Sequence, residues 1–200
     1  MTVILLSLGC GGGSKRYLEP ARVDLRPYGR LALPTFTIEN AKGTLHQFAT
    51  QQFAEAVLAA QPGLELLELG SSDSLVARAG EREFGLRSAS AVGQEHQAPA
   101  VFVGHLRVSD VKPSASLQGL SLPRLQASVR VELSVRLVST SSGGTLWRAS
   151  SAATETVGHL AISGGLPTFS ATDPNEAYGE LVGYLVRQVT WDFRPTWRKG

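Results

Sequence analysis

The sequence has a single cysteine among 200 residues. No internal disulfide can form, so the fold must rest on its apolar core, and a domain near this size buries roughly 70% of its unfolded surface without staples. Charge of one sign is also missing. The 19 basic and 17 acidic residues are scattered and leave a net charge of +2, which gives no electrostatic footprint for DNA, RNA or anionic lipid. No apolar run approaches the ~20 residues of a membrane-spanning helix. His46, His96, His105 and His159 have no neighbour at ligand spacing, so neither a zinc or iron site nor any other cofactor is expected. There is no G-x-S-x-G elbow, and the glycines before Lys15 lack both the second glycine of a phosphate loop and a preceding strand. These absences argue against an enzyme. What remains, 42% hydrophobic and 18% charged residues without repeats, fits one globular domain.

The position of the cysteine carries information. Thr2 to Leu8 is an apolar run of seven residues, followed by Gly9-Cys10 and then by Gly11-Gly12-Gly13-Ser14-Lys15-Arg16. The run has the length of a signal-peptide core rather than of a membrane span. The pattern resembles a bacterial lipobox, in which a small residue precedes a cysteine that takes a diacylglyceryl group on its sulfur and becomes the first residue of the mature protein. Gly9 fits the small position; the aliphatic preference three before the cysteine falls on Ser7 and is met one place earlier by Leu6. The resemblance implies a signal peptide over 1–9, cleavage after Gly9, lipidation of Cys10, and a tether over 10–28. Gly11 in place of Asp implies the outer membrane, with the domain on its periplasmic face.

Residues 29–194 read as one domain, with 195–200 as a tail. Leu31 to Ile38 predicts a strand, with Pro34 making it an edge or bulged strand. Thr44 to Gln61 predicts a helix: Leu45, Phe48, Ala49, Phe53, Ala56, Val57 and Ala60 share a face, Thr44 and Gln47 stand at capping-box spacing, and Pro62-Gly63 stops it. A short strand follows over Leu64 to Leu69, then a helix from a Ser/Asp cap over Ser71 to Ala79, a further helix over Ser88 to His96, and a strand over Ala98 to Val108. Leu125 to Leu137 alternates without a break, odd positions apolar and even ones polar. That pattern specifies a long strand with one face on a core. Ser141 to Gly144 turns it, and Thr145 to Val157 returns. Asp173-Pro174-Asn175-Glu176 opens a final helix whose apolar face is Tyr178, Leu181, Val182, Leu185 and Val189. The order β-α-β-α-α-β-β-β-α predicts an α+β fold, a mixed sheet with a long antiparallel hairpin and helices on one face.

Other polar and aromatic clusters have structural explanations. Ser71 to Ser74 reads as a helix start, and Glu65, Glu68, Glu81 and Glu83 as a solvated face. Trp147, Trp191 and Trp197 offer a ligand platform, but Trp147 in a strand and Trp191 on a helix read rather as core or sheet-cover residues.

Several segments together resemble a group of envelope lipoproteins, comprising the curli-secretion lipoprotein CsgG, the penicillin-binding-protein activator LpoB and the amino-terminal domain of TolB. They are the opening strand Leu31 to Ile38, the helix Phe48 to Ala60, the strand Val101-Phe102-Val103-Gly104, and the hairpin Val129 to Trp147 with its Gly144-Thr145-Leu146-Trp147 turn. Pro99 and an extra glycine in the turn depart from the pattern. The resemblance implies a non-catalytic lipoprotein, attached to the membrane by lipid and binding a periplasmic or outer-membrane protein. A CsgG-like secretion-pore subunit and an LptE-like lipopolysaccharide-assembly lipoprotein are the alternatives. Because the hairpin turn lies at one end of the sheet, the segments 110–123 and 158–172 are expected to emerge together at the other end, as paired loops. Leu117, Leu120, Leu122, Leu160, Ile162, Leu166 and Phe169 are their candidate apolar anchors for a partner.

Overall fold

The computed structural model describes residues 16–40, 44–109, 112–116, 124–163, 166–171 and 174–199. The first half runs β1 (Arg16–Glu19), β2 (Arg30–Thr35), β3 (Thr37–Glu39), α1 (Leu45–Ala60), β4 (Glu65–Ser71), α2 (Ser72–Ala79) and α3 (Leu86–His96). The second half runs β5 (Ala100–Val108), β6 (Lys112–Ser116), β7 (Arg124–Ser139), β8 (Thr145–Ser163), β9 (Leu166–Ala171), α4 (Pro174–Val189) and β10 (Thr196–Lys199). The main sheet has the order β4-β2-β5-β7-β8-β9, with β3 also on β5 and β6 also on β7. β2 is parallel to β4 and β5, whereas β5, β7, β8 and β9 are successively antiparallel. The mixed-sheet α+β fold is as expected. Pro34 lies on an interior strand and marks a register shift in the pairing with β4, so of the two expected readings the bulge applies.

The alternation in β7 does what it predicts: Val129, Val131, Leu133, Val135 and Leu137 are all buried. With Leu31, Leu33, Phe102 and Leu106 they form the sheet side of the main core, which α1 closes with Ala49, Phe53 and Val57, and α4 with Leu181, Val182, Leu185, Val186 and Val189. Aromatic rings run through it. Phe36 meets Phe53, Phe53 meets Phe102 edge-on, and Phe102 meets both Trp147 and Phe193. A Cβ at Gly104 would stand 2.2 Å from the Phe36 ring, so the absence of a side chain there is what lets the ring lie on the sheet.

The helices do not all share one face. Ala32, Val101 and Val138, which alternate with the main-core residues along their strands, form a second cluster with Leu75 of α2, Phe84, and Ala89 and Val92 of α3. The one-face expectation therefore holds for α1 and α4 and fails for α2 and α3. Their apolar faces need a surface of their own, and the edge of the sheet at β4-β2-β5 supplies it.

Local capping follows the sequence in part. Ser71 Oγ accepts the Asp73 N–H at 3.2 Å, and α2 ends on Gly80 in the left-handed region. The capping box expected at Thr44 is not formed; its carbonyl accepts from Gln47 and Phe48, while its side chain makes no cap bond. The N-terminus of α3 is capped by Glu81, whose carboxylate accepts the N–H groups of Gly85, Arg87 and Ser88 and the Ser88 hydroxyl at 2.6 Å. Those bonds, led by the Ser88 hydroxyl and then its N–H, hold the Glu81 carboxyl down at about 2.

The expected tether is folded from Arg16 onward. β1 pairs antiparallel with β10, so the expected tail also belongs to a strand. Leu25 is fully buried in the main core. The junction is held by Gln61, itself 3% exposed: its Oε1 accepts the Leu25 N–H at 3.0 Å, and its Nε2 donates to the Phe193 carbonyl at 2.7 Å and the Val23 carbonyl at 3.3 Å. The Val23 N–H adds a bond to the Asp192 carbonyl at 3.0 Å.

Candidate functional site

Gly9, Cys10, Leu117, Leu120 and Leu122 lie outside the described residues. Leu160 and Ile162 fall in β8, and Leu166 and Phe169 in β9. These segments were expected to be loops, and they are instead a continuation of the sheet. β6 pairs with the start of β7 through Lys112–Ser128 to Ser116–Arg124, and β8 carries on past its core section to pair with β9. The register brings Leu125, Leu160 and Phe169 into one row across three strands and sets Ile162 opposite Pro167. Adjacent strands satisfy one another's backbone groups here, which two loops would have left to water. The two segments do emerge together, as the position of the hairpin turn implied.

A polar cleft of about 500 Å3 opens beside α2 and gathers Ser72, Asp73, Glu83, His105 and Ser134 from separate parts of the chain. Such a gathering is where nucleophilic catalysis would be sought, but the hydrogen bonds are committed elsewhere. Nδ1 of His105 lies 2.8 Å from Thr37 Oγ1 and Nε2 lies 3.3 Å from Glu39 Oε2, while Ser72 Oγ donates to the Thr35 carbonyl at 2.7 Å. No serine sits on the imidazole; the hydroxyl beside it is that of Thr37, which also donates to the Gly104 carbonyl at 3.4 Å. Among the described residues no three His, Cys, Asp or Glu side chains stand together as a metal site.

The three tryptophans separate. Trp147 is 9% exposed, packs on Phe193 and Phe102, and donates its indole N–H to Asp192 Oδ2 at 3.3 Å. Trp191 and Trp197 are 55% and 69% exposed, for Trp191 against expectation. Both line a cleft of about 580 Å3 at the chain ends together with Glu19, Arg22, Arg194, Arg198 and Lys199. Their position follows from the β1–β10 pairing, which no local pattern in either tetrapeptide announces.

The described residues thus define a mixed-sheet α+β domain with an extended hairpin end and an aromatic, basic cleft where its chain ends meet. No protein-family model matches the chain, and no curated protein matches it. Among solved structures, it is similar to the PelC dodecamer from Paraburkholderia phytofirmans, at 12% identity over 90% of this chain and 98% of that one, with a TM-score of 0.46. It is also similar to lipoprotein GNA1162 from Neisseria meningitidis (16% identity, 64% and 83% covered, TM-score 0.38). The LpoB C-terminal domain from Salmonella enterica gives 12% identity, 63% and 83% covered, and a TM-score of 0.38. LpoB belongs to the group whose resemblance was read from the sequence. These are loose likenesses of shape, and they fix no activity, partner or site.

Proposed function

We propose that this chain is a non-catalytic envelope lipoprotein, anchored through Cys10 to the periplasmic face of the outer membrane and acting as a binding or assembly module for a protein partner. The observation that carries the reading is the run Thr2 to Leu8 ending in Gly9-Cys10. A folded domain then begins at Arg16, only six residues beyond the cysteine. No helix among the described residues is long and apolar enough to cross a membrane. Attachment by lipid asks for none, each buried methylene contributing ~0.8 kcal/mol. The hairpin end, with Leu117, Leu120, Leu122, Leu160, Ile162, Leu166 and Phe169 as anchors, is the surface we assign to the partner.

One observation favours a pore subunit instead: β7 and β8 run for 16 and 19 residues and carry a flanking strand each. The flanking strands weigh against it, because among the described residues β6 has five and β9 six, short of the ~9–11 that a membrane strand needs.

Cys10→Ala should accumulate as an unprocessed precursor that incorporates no labelled fatty acid. A variant that is still processed to the mature mass would overturn the anchor. Leu120→Ser with Phe169→Ser should reduce crosslinking to envelope proteins while leaving the melting temperature nearly unchanged, and undiminished crosslinking would remove the hairpin end as the docking surface.

A further inference from the structure

Four of the nine exposed large hydrophobic residues among those described stand in or beside the ribbon of β1 and β10. Tyr17 is 54% exposed, Leu18 50%, Trp191 55% and Trp197 69%. Register sets Leu18 opposite Trp197 and, two pairs further out on the same face, Arg16 opposite Lys199, while Tyr17 pairs with Arg198 on the other face. Single exposed apolar side chains are ordinary, but several in one patch mark a contact surface. Five basic residues accompany them, Arg16, Arg22, Arg194, Arg198 and Lys199, against the carboxylates of Glu19 and Asp192. Arg198 pairs with Glu19, and Arg22 stands 3.7 Å from Asp192. The patch is therefore aromatic and carries an excess of positive charge.

Its place in the chain says what covers it. Cys10 precedes Arg16 by six residues, and six residues span at most ~20 Å even fully extended. An acylated Cys10 holds the ribbon within that distance of the bilayer. The bonds of Gln61 to Leu25, Val23 and Phe193 fix the base of the ribbon to the core, so whatever the ribbon touches orients the whole domain.

We propose that the patch lies on an anionic phospholipid surface, with Trp191 and Trp197 at headgroup level and the basic side chains on lipid phosphates. The inference rests on the anchoring at Cys10 and adds an orientation to it. Tryptophan suits that depth because its ring is apolar and its N–H finds water or headgroup oxygens. Lysine and arginine near an anionic surface add an attraction that salt screens. The hairpin end then points away from the membrane: the Trp147 indole bonds Asp192 beside the ribbon, and Leu160 is 13 residues further along the same strand, ~40 Å at strand rise.

The test is fluorescence quenching in lipidated full-length protein reconstituted into phosphatidylglycerol-containing vesicles, with bromine on the lipid chains near the headgroup. Trp147 is the internal reference, being buried. Emission should fall, because Trp191 and Trp197 stand at headgroup level within reach of the bromine. The fall should disappear in Trp191→Phe with Trp197→Phe, whose circular dichroism and melting temperature should match the parent because both side chains are exposed. The mass of the amino-terminal peptide is measured on the same sample. Lipidated protein with unquenched tryptophans, as when the patch faces another protein, overturns the orientation alone. An amino terminus without lipid overturns the anchor and the orientation with it.

Discussion

Replacing Gln61 by leucine keeps the bulk of the side chain and deletes all three of its hydrogen bonds. The Leu25 N–H and the Phe193 carbonyl are left buried, and the Val23 carbonyl part-buried. An unpaired buried backbone group costs about 1–3 kcal/mol. With water reaching the Val23 carbonyl, two such groups put the loss near 3 kcal/mol. For a chain of this size that is a fall of about 6–12 °C in melting temperature, at 2–4 °C per kcal/mol. Urea unfolding followed by circular dichroism reads the free energy, and an unchanged m-value shows that the denatured state has not shifted. Gln61→Glu separates the roles of the two ends of the amide: it keeps an acceptor for the Leu25 N–H but at neutral pH sets a carboxylate against two carbonyl oxygens. It should lose at least as much as leucine does at pH 7 and recover part of the loss in acid, where a protonated carboxyl donates. Hydrogen exchange should also quicken in β1 and β10. A Gln61→Leu variant within ~0.5 kcal/mol of the parent, below the net value of even one ordinary hydrogen bond, would refute the clamp and the fixed geometry of the ribbon.

Glu81 gives a pH signature. Its carboxyl lies near 2 in the folded protein against an ordinary value of 4.5, so its stabilising effect is complete above about 4.5 and disappears as pH falls from there towards 2. Glu81→Gln should melt lower than the parent at pH 7, with the gap narrowing below about pH 4.5 and closing only as the pH falls through about 2, in melts taken across that range; a constant gap would contradict the capping role. Gly104→Ala should destabilise by about 1–3 kcal/mol, an overpacking cost, because the added methyl meets Phe36. Urea melts check it, and a neutral result would mean that the ring relocates freely. Trp147→Phe should cost more stability than Trp191→Phe, since Trp147 alone of the pair is in the core; equal losses in thermal melts would contradict that placement.

The elements that could be read directly from the sequence are those decided by neighbours in the chain. Phe53 and Val57 fall one helical turn apart, Ser71 stands two residues before the N–H it caps, and β7 repeats its alternation long enough to fix a face. The missed features depend on partners far away. Arg16–Glu19 becomes a strand only because Thr196–Lys199 pairs with it, and a tetrapeptide has too few residues to show a period. Gln61 looks like a helix end until Leu25 and Phe193 arrive on either side of it. The extension of β8 passes through Gly158 and meets β9 at Pro167, so two residues poorly suited to strands hid a ladder. The second core arose where α2 and α3 turned their apolar faces to the opposite side of the sheet from α1. Which side a helix crosses to is a property of the connection, and the helix's own sequence does not carry it.

Mass spectrometry of the amino-terminal peptide from protein purified out of native membranes tests the proposed anchor most directly. The account predicts a peptide that begins at Cys10 and carries a diacylglyceryl group on its sulfur. A membrane-derived chain in which Gly9 still precedes an unmodified Cys10 would contradict it.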